Sequence, residues 1–321
     1  MTVPVRIRAV GTASCEGDAG PGARSPFEAR LSSPLAELAR GGARVRLFCP
    51  PEEAAFLAAW DALAASGVSV PVDRDAVGLA LGLDEGIDGI KARHSAAVSS
   101  EGPLGASPVW FPLTAPNTIA AQLSIALGLR GESHTVCGGT LSGAQAIGIA
   151  VQSIRERRHA GMLAGGATWV EAVLLDALAR LGRPDGGPPR CAACLLVLVP
   201  GGGNDAGAPE VAGYGEAFGD GEIAAAAAAA LDDAGLAPEG IGSILIAGAP
   251  DPGEAIERLR GAGLSVRAVV SPSARLHSAS FPFAVAEAAG GAVVSPPGPV
   301  LVVGADCLGG AAAAVVTGGR R

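Results

Sequence analysis

The sequence has few aromatic residues and little positive charge. Aromatic side chains make up 3% of its 321 residues, whereas the hydrophobic class as a whole makes up 49%, and 48 residues are glycine. Because large rings are scarce, we expect backbones and small side chains to fill the core by close contact. Lysine occurs once, as Lys91, and the formal net charge is −8. The chain therefore lacks the basic face that nucleic-acid binding requires, and we expect no nucleic-acid partner.

The sequence also lacks a long apolar run and a regular cysteine framework. The alanine run at 224–230 is too short to span a membrane, and the opening residues MTVPVRIRAVG are typical of a strand rather than a signal peptide. Six cysteines lack the spacing of a disulfide scaffold. Cys191 and Cys194 have the spacing of a zinc-binding pair, but no second pair or nearby histidine completes a metal site. We expect buried free thiols there, no metal, no membrane association and a reduced, cytoplasmic protein.

Strands and helices alternate along the chain, which predicts an α/β fold. The glycine-rich stretch 201–208 is typical of a linker, and a second alternating series begins after it. The alternation alone allows either one doubly wound sheet or two related halves. The predicted strands are 3–10, 45–48, 76–83, 133–136, 194–199, 211–215, 243–247, 268–271, 300–303 and 311–317, and the predicted helices are 34–40, 52–66, 118–126, 141–155, 169–181, 222–234, 253–259 and 280–289.

The stretch 131–166 has the parts of a nucleophile elbow. A short extended segment at 133–136 leads into the small residues of 137–141, and a helix of small and apolar residues follows. A buried strand ending in Ala164-Gly165-Gly166 comes next. The first turn of such a helix presents unpaired backbone N–H groups, which stabilise developing negative charge. This arrangement provides a place for a nucleophile.

This stretch resembles the nucleophile region of β-ketoacyl synthases, the condensing enzymes of fatty-acid and polyketide assembly. In that family a cysteine opens the central helix, a Gln-x-Ile/Leu-Arg/Gln step follows twelve residues later, and the strand-end glycines come at twenty-five and twenty-six. Counting back from Gln152 and from Gly165-Gly166 places the nucleophile position at Thr140, three residues after Cys137. A threonine hydroxyl is far less acidic than a thiol, so Thr140 needs a general base beside it in order to react.

Two histidines stabilise the thioester enolate and its oxyanion in the family. The first is replaced here by Gly248 or a neighbour, after the strand 243–247. The second belongs to a Lys-Ser-x-x-Gly-His segment, which matches Pro272 to His277 and keeps Ser273 and His277 without the lysine. A structural and a chemical role for His277 are equally compatible with the sequence.

The family's last landmark is a glycine-rich loop that supplies an oxyanion N–H and a gating phenylalanine. Here that loop keeps Gly309 and Gly310 and has Leu308 in place of the phenylalanine. The resemblance thus implies a degenerate site at Thr140, Gly248 and His277 with a remnant of the gating loop at Leu308, Gly309 and Gly310, and no catalytic residue in the ordinary sense.

The resemblance implies a thiolase-like fold in which two related βαβαβ halves form α/β/α/β/α layers. We expect an N-terminal half at 1–200, with the elbow at 137–141, and a C-terminal half at 209–321, together forming one compact domain. It also implies a chain length factor of a type II polyketide synthase: a non-catalytic subunit that pairs with an active ketosynthase and shapes the acyl pocket. The chain is shorter than ordinary synthases. In this respect it resembles the chain length factors of polyene-forming, highly reducing systems.

No cofactor is expected, because the substrates of such systems are carried on the phosphopantetheine of an acyl carrier protein. The excess of acid disfavours docking of an acidic carrier, so we expect the ketosynthase partner to do most of it. A Pro-Asn step before the elbow also resembles the family. Residues of that loop and of the next helix are the candidates for lining the substrate pocket, together with Thr140: Thr114, Asn117, Thr118 and Gln122.

Two alternatives remain open from the sequence. In the first, the chain is a self-sufficient acyltransferase or condensing enzyme that uses Thr140 or Cys137 with His277. This alternative predicts that an acyl thioester labels the chain covalently. Alternatively, it is a structural homodimer that scaffolds a biosynthetic complex without touching the substrate. The presence of a ketosynthase partner distinguishes the chain length factor from the scaffold.

Overall fold

A computed structural model describes residues 3–16, 26–40, 47, 49–67, 76–84, 88–180, 190–202, 208–264, 267–274, 276–290 and 298–318. Most of the predicted strand at 45–48 and of the predicted linker at 201–208 lies outside these residues. The strands are β1 (Val5–Glu16), β2 (Val77–Asp84), β3 (Ser133–Val136), β4 (Gly161–Val170), β5 (Arg190–Pro200), β6 (Glu210–Phe218), β7 (Ser243–Gly248), β8 (Ala268–Val270), β9 (Val300–Ala305) and β10 (Gly310–Thr317). The helices are α1 (Glu28–Arg40), α2 (Pro50–Ser66), α3 (Asp88–Glu101), α4 (Thr118–Leu127), α5 (Ser142–Arg155), α6 (Ala172–Arg180), α7 (Glu222–Ala234), α8 (Pro252–Gly261) and α9 (Ser280–Gly290).

The strand order shows an internal repeat. The order across the sheet is β3-β2-β4-β5-β1-β6-β10-β9-β7-β8, so each half has the same order when it is followed from its own edge. In the first half β2 is parallel to β3 and β4, and in the second β7 is parallel to β8 and β9. The halves join where Val5 and Arg6 of β1 pair with Val211 and Glu210 of β6. Two related βαβαβ halves, as expected from the resemblance, are confirmed; their predicted limits at 1–200 and 209–321 stay a prediction.

Three hydrophobic clusters separate the layers. The first packs α2 and α4 against one face of the N-terminal strands, and the third packs α7 and α8 against the C-terminal strands. The second cluster contains α5 and α9 together with strands of both halves. These two helices therefore lie between the halves, which gives the expected α/β/α/β/α layers. The sparse aromatic content is consistent with this core, because alanine, valine, leucine and isoleucine supply most of the buried side chains.

Glycines bring the central elements into backbone contact. A Cβ on Gly143 of α5 would lie 1.9 Å from the carbonyl oxygen of Ser278, and one on Gly166 of β4 would lie 2.1 Å from the same atom. A Cβ on Gly82 of β2 would lie 2.2 Å from the backbone of Ser142. No side chain fits at these distances, so the starts of α5 and α9 meet over the ends of β2 and β4 only because these positions are glycine.

Some elements are longer than the sequence pattern predicts. β1 was expected to end at Val10, followed by a loop, but it continues to Glu16 because each residue from Val10 onward pairs with β5. A helix was expected from Trp169, but Trp169 and Val170 still belong to β4, where they pair with Cys191 and Arg190. In both cases pairing with a strand that is distant in sequence lengthens the strand. The local hydrophobic periodicity does not reveal that pairing.

Candidate functional site

The predicted nucleophile elbow has the expected shape. Thr140 is half-buried in one 3₁₀ turn, Gly139–Leu141, that leads directly into α5. Gly139 has a φ of 69°, in the left-handed region that favours glycine. The N–H of Gly138 donates to Ser142 Oγ at 2.8 Å, and that hydroxyl donates to the carbonyl of Gly139 at 2.6 Å. The fully buried Ser142 thus fixes the turn that carries Thr140.

Cys137 lies on the exposed side of the elbow. Partial loss of solvent around the sulfur raises the pKa of the Cys137 thiol, Asp84 raises it further, and Lys91 acts in the opposite direction. The thiol is therefore protonated at neutral pH, whereas a catalytic cysteine needs a lowered pKa. The structure gives Cys137 the environment of an unreactive surface thiol.

His277 is held against the elbow. Its own 3₁₀ turn, His277–Ala279, contacts the turn that carries Thr140. The residue has a φ of 47°, which is uncommon for a side chain with a Cβ and shows that its surroundings impose the conformation. The side chain is 15% exposed. The resemblance predicted this histidine beside the nucleophile position, and the structure brings the two turns together.

Both ring nitrogens of His277 face charged groups. Nε2 lies 3.2 Å from Arg190 Nη2, and Nδ1 lies 3.4 Å from Asp84 Oδ2. A guanidinium can only donate, so Nε2 is the acceptor and the ring proton is on Nδ1, facing the carboxylate. In this tautomer Nε2 has no proton to offer an oxyanion.

Asp84 and Ser278 anchor this histidine from below. Asp84 ends β2 with its side chain 1% exposed. Its Oδ2 accepts the N–H of Ser278 at 3.1 Å, and Ser278 Oγ lies 2.7 Å from both Asp84 Oδ1 and the carbonyl of Ala167. The serine proton is thus shared between two acceptors. Asp84 and Arg190 are site residues that the sequence did not predict, although a charge directly after the apolar run of β2 is a signal that points to Asp84.

Gly248 is the residue that the resemblance matches to the family's first histidine. Gly248 ends β7, and a Cβ there would lie 3.3 Å from the carbonyl oxygen of Ala274. The family's lysine is also missing, and two serines act nearby instead. The hydroxyls of Ser271 and Ser273 donate to the two oxygens of Glu287 at 2.8 and 2.9 Å. Among the described residues, this carboxylate thus accepts from two neutral hydroxyls, which the sequence did not reveal.

The remnant of the gating loop lies against the elbow. Asp306 Oδ1 accepts the N–H groups of Leu308 and Gly310, both at 2.9 Å. A Cβ on Gly310 would lie 3.1 Å from Leu141 Cδ1, so this loop contacts the elbow directly. Gly309 has a φ of 82°, and Leu308 is 81% exposed. Leu308 thus points to solvent rather than closing the site.

The four predicted pocket residues lie in a separate part of the fold, beside β3. Asn117 is exposed at the start of α4, and Gln122 is half-buried on that helix. The hydroxyls of Thr114 and Thr118 donate to backbone carbonyls of the same loop, those of Phe111 and Pro112, at 2.7 and 2.5 Å. These bonds give both threonines a local structural role, and lining of a pocket by this group stays a prediction.

An open groove of about 570 Å³ lies between α5 and β6, and Thr140 is not among its lining residues. Arg155 at its rim pairs with Asp233 at 2.6 Å, and Tyr214 in its wall donates to Glu216. Burial and the neighbouring Glu216 carboxylate raise the pKa of Tyr214 well above its usual range. The groove is lined by Val136, Gln145, Gly148, Ile149, Val151, Gln152, Arg155, Glu156, Tyr214, Glu216 and Asp233.

Within the part of the chain that the structure describes, histidine, cysteine, aspartate and glutamate nowhere converge in a group that could hold a metal ion. Among the same residues, every helix is too short or too polar to cross a bilayer.

Residues 42–194 match the family described as "Beta-ketoacyl synthase, N-terminal domain". Among curated proteins, 3-oxoacyl-[acyl-carrier-protein] synthase 2 of Vibrio harveyi is 39% identical over 108 residues, and the enzyme of the same name from Vibrio cholerae is 36% identical over 108 residues. Each alignment covers 33% of this chain and 26% of the relative. The chain thus spans about a quarter of the length of the curated relatives that it matches.

Solved structures are similar over nearly the whole chain. A type II polyketide acyl-carrier protein in complex with its ketosynthase bound to the hexaketide gives a TM-score of 0.74 at 18% identity, covering 99% of both chains. The ketosynthase in complex with its chain length factor from Xenorhabdus doucetiae gives 0.71 at 13% identity, covering 98% of both. The ishigamide ketosynthase/chain length factor gives 0.69 at 19% identity, covering 98% and 99%. At these identities the likeness establishes the fold.

The matched segment 42–194 contains the elbow, and the described chain has the layers and strand order expected of a thiolase-like fold. The segment 42–194 is thus similar to the N-terminal domain of β-ketoacyl synthases, and the chain shares the fold of the solved ketosynthase structures.

Proposed function

We propose that this chain is a chain length factor, the non-catalytic partner of an active ketosynthase in a heterodimer that elongates a carrier-bound polyketide. The proposal includes a role in shaping the acyl pocket and thereby in limiting chain length. Solved structures of the same fold include a ketosynthase in complex with its chain length factor and a ketosynthase in complex with its acyl-carrier protein.

The engagement of His277 is the observation that carries this proposal. Arg190 donates to Nε2 at 3.2 Å, and Asp84 faces Nδ1 at 3.4 Å. The ring is therefore committed to two side chains of its own chain, and it is unable to act as an oxyanion donor through Nε2. Thr140 stands at the nucleophile position with this imidazole as its nearest expected base, and Gly248 stands where the family's first histidine is expected. Each change alone weakens a condensing site, and together they leave it without a nucleophile-base pair.

The alternative of a self-sufficient enzyme is less well supported. Cys137 has a raised pKa, and a threonine contributes a nucleophile only where a base takes its proton. No observation favours Thr140 or Cys137 as the site of an acyl-enzyme.

The surface beside β3 supports a partner on that side of the fold. β3 is an edge strand, and Val136 at its end lines the groove along α5. The loop and helix that precede β3 carry several of the large apolar side chains that are exposed in the described residues: Leu104 (95%), Ile125 (70%), Phe111 (63%), Val109 (48%) and Trp110 (39%). Exposed apolar patches and open strand edges are typical of surfaces that a partner covers.

The test is co-expression with a ketosynthase encoded beside this chain, followed by size-exclusion chromatography and a condensation assay with malonyl-carrier. We expect a stable heterodimer whose activity survives Thr140→Ala and is lost when the partner's active-site cysteine is replaced. The measured quantity is the amount of condensed product per heterodimer.

An acyl-thioester labelling experiment on the chain alone provides the control. If the isolated chain becomes acylated, and Thr140→Ala or Cys137→Ala abolishes the label, the chain is an enzyme and the proposal is wrong. A chain that forms no complex and condenses nothing is a scaffold. Assignment to a polyene-forming, highly reducing system belongs to the same proposal, and mass spectrometry of the heterodimer's product tests it.

A further inference from the structure

Two thiols stand opposite each other on neighbouring strands, at a distance from the degenerate site. Cys15 of β1 and Cys191 of β5 are direct partners in the antiparallel ladder, and both are free. Opposed residues of antiparallel strands have Cα atoms about 4.5 or 5.5 Å apart, depending on the kind of pair. Both distances fall within the roughly 4.4–6.8 Å range of disulfides. A bond between these sulfurs therefore needs little or no movement of the backbone.

The two side chains already interact. Interaction with Cys191, chiefly with its thiol and to a lesser extent with its backbone, lowers the pKa of Cys15 to about 7, although burial and Glu53 oppose it. Burial raises the pKa of Cys191 well above its usual range. One thiol is thus half-buried and partly ionised near neutral pH, and its neighbour is fully buried and protonated.

We propose that Cys15 and Cys191 form a redox-active dithiol that closes to a cross-strand disulfide when the chain meets a peroxide. The Cys15 thiolate attacks one peroxide oxygen, the O–O bond breaks, and the products are a sulfenic acid on Cys15 and, after protonation, one water. The Cys191 sulfur then attacks the Cys15 sulfur, and the sulfenic oxygen leaves with the Cys191 proton as a second water. Two thiols lose two electrons and two protons in total, and the peroxide gains them. A small-molecule thiol reverses the change.

Other cysteines of the chain lack this combination. Cys49 lies in the same buried cluster at the start of α2, but burial and Glu52 raise the pKa of its thiol. Cys194 is three residues along β5 from Cys191, so it points to the opposite face of the sheet, and its strand partner is Thr12. A half-buried, ionised thiol opposite a second thiol occurs at Cys15 within the described residues.

The experiment treats the purified full chain with a small excess of hydrogen peroxide, blocks remaining thiols, and maps peptides by mass spectrometry without reduction. We expect one linked pair of peptides, containing Cys15 and Cys191, that dithiothreitol separates. Cys15→Ser and Cys191→Ser each abolish that linkage. Cys194→Ser is the matched control, a buried cysteine of the same strand, and it leaves the linkage intact.

Three results overturn the proposal. One is oxidation of Cys15 to sulfinic acid without any linkage to Cys191. Another is linkage of Cys191 to Cys49 instead. The third is recovery of both Cys15 and Cys191 as free thiols while the exposed Cys137 and Cys307 are oxidised. The wild-type map and the half-buried Cys15→Ser variant decide the matter even if Cys191→Ser fails to fold. The test uses neither a ketosynthase partner nor an activity assay, so it is independent of the proposed function.

Discussion

At the scale of single residues, the site lacks the reactive side chains that the family resemblance expects, but it keeps the residues that fix the shape of the elbow and its neighbouring loop. Thr140 and Gly248 occupy positions where the family resemblance expects a cysteine and a histidine. The surrounding turn keeps its geometry, because Ser142 fixes the elbow and Asp306 fixes the loop that packs on Leu141. His277 remains in place, but Arg190 bonds to its Nε2 and Asp84 lies 3.4 Å from its Nδ1. The residue is therefore positioned like a catalytic group and bonded like a structural one.

A prediction at this scale concerns the tautomer of His277. Arg190 is 6% exposed and donates to Nε2, so we expect nitrogen NMR to find Nε2 unprotonated and Nδ1 protonated at neutral pH. Arg190→Met removes the donor, and we expect it to release this tautomer preference and lower the free energy of unfolding by about 1.5–3 kcal/mol, the usual value of a hydrogen bond to a charged group.

Arg180→Met is the control for Arg190→Met. Arg180 pairs with Asp176 on an exposed helix face, with 78% and 61% of the two side chains exposed, so its loss changes stability by less than about 0.5 kcal/mol. An Nε2-protonated ring in the wild type, or an unchanged spectrum in Arg190→Met, contradicts the bonding described for His277.

At the scale of elements, the junction of the two halves depends on backbone contact. The carbonyl of Ser278 lies where Cβ atoms on both Gly143 and Gly166 would be. Strand β4 contributes one of these glycines and helix α5 the other, so a single oxygen atom limits how closely three elements approach. Any side chain at either position pushes α9 away from the elbow.

Two alanine substitutions on β4 test this junction. Gly166→Ala places its Cβ 2.1 Å from the Ser278 carbonyl, whereas Gly161→Ala places its Cβ no closer than 3.5 Å to any neighbour. We expect Gly166→Ala to lower the free energy of unfolding by about 1–3 kcal/mol or more, through overpacking that backbone atoms are unable to relieve. Gly161→Ala should cost less than about 1 kcal/mol. Equal urea midpoints for the two variants would show that the backbone around Ser278 moves to admit a Cβ at little cost in stability.

Elements with a strong local signal were predictable from the sequence. Helix α7 has the predicted limits, and β2 was recognisable from its apolar run. The extra length of β1 and β4 was not, because it comes from pairing with β5. The candidate site was predictable to the same extent. The positions of Thr140 and His277 follow from the family's motif spacings. The bond between Arg190 and His277 joins residues 87 positions apart, and no sequence motif links them.

At the scale of the whole molecule, the internal repeat gives the sheet two equivalent edges, β3 and β8. The edges differ in their surroundings. Helix α4, which carries the exposed Ile125, packs against β3, and the groove along α5 opens beside Val136. On the proposed function, we therefore expect a ketosynthase partner to use the β3 edge.

A proline at each edge provides a matched test. Leu79 donates to the carbonyl of Glu132, so by the alternation of a strand the N–H of Thr135 points away from β2. Thr135→Pro therefore removes an outward donor and keeps the pairing with β2. Val270→Pro makes the equivalent change on β8, where the bond from Ile244 to the Arg267 carbonyl sets the same alternation. We expect Thr135→Pro to weaken heterodimer formation at least tenfold by size-exclusion or interferometry, and Val270→Pro to leave it unchanged. The reverse result would place the partner on the other edge.

The position of β1 in the sheet has a consequence for synthesis of the chain. This strand is translated before its partners β5 and β6, and about 170 residues separate it from β5. At 5–20 residues per second, the ribosome leaves β1 without a partner for roughly 9–35 s. Its alternating segment emerges as an unpaired strand and stays so while β2, β3 and β4 are made. The central strand of the finished sheet is thus placed only after β2, β3 and β4 have been made, and the nascent chain depends on a holding chaperone or on rapid burial under α2 to avoid association with other chains during that interval.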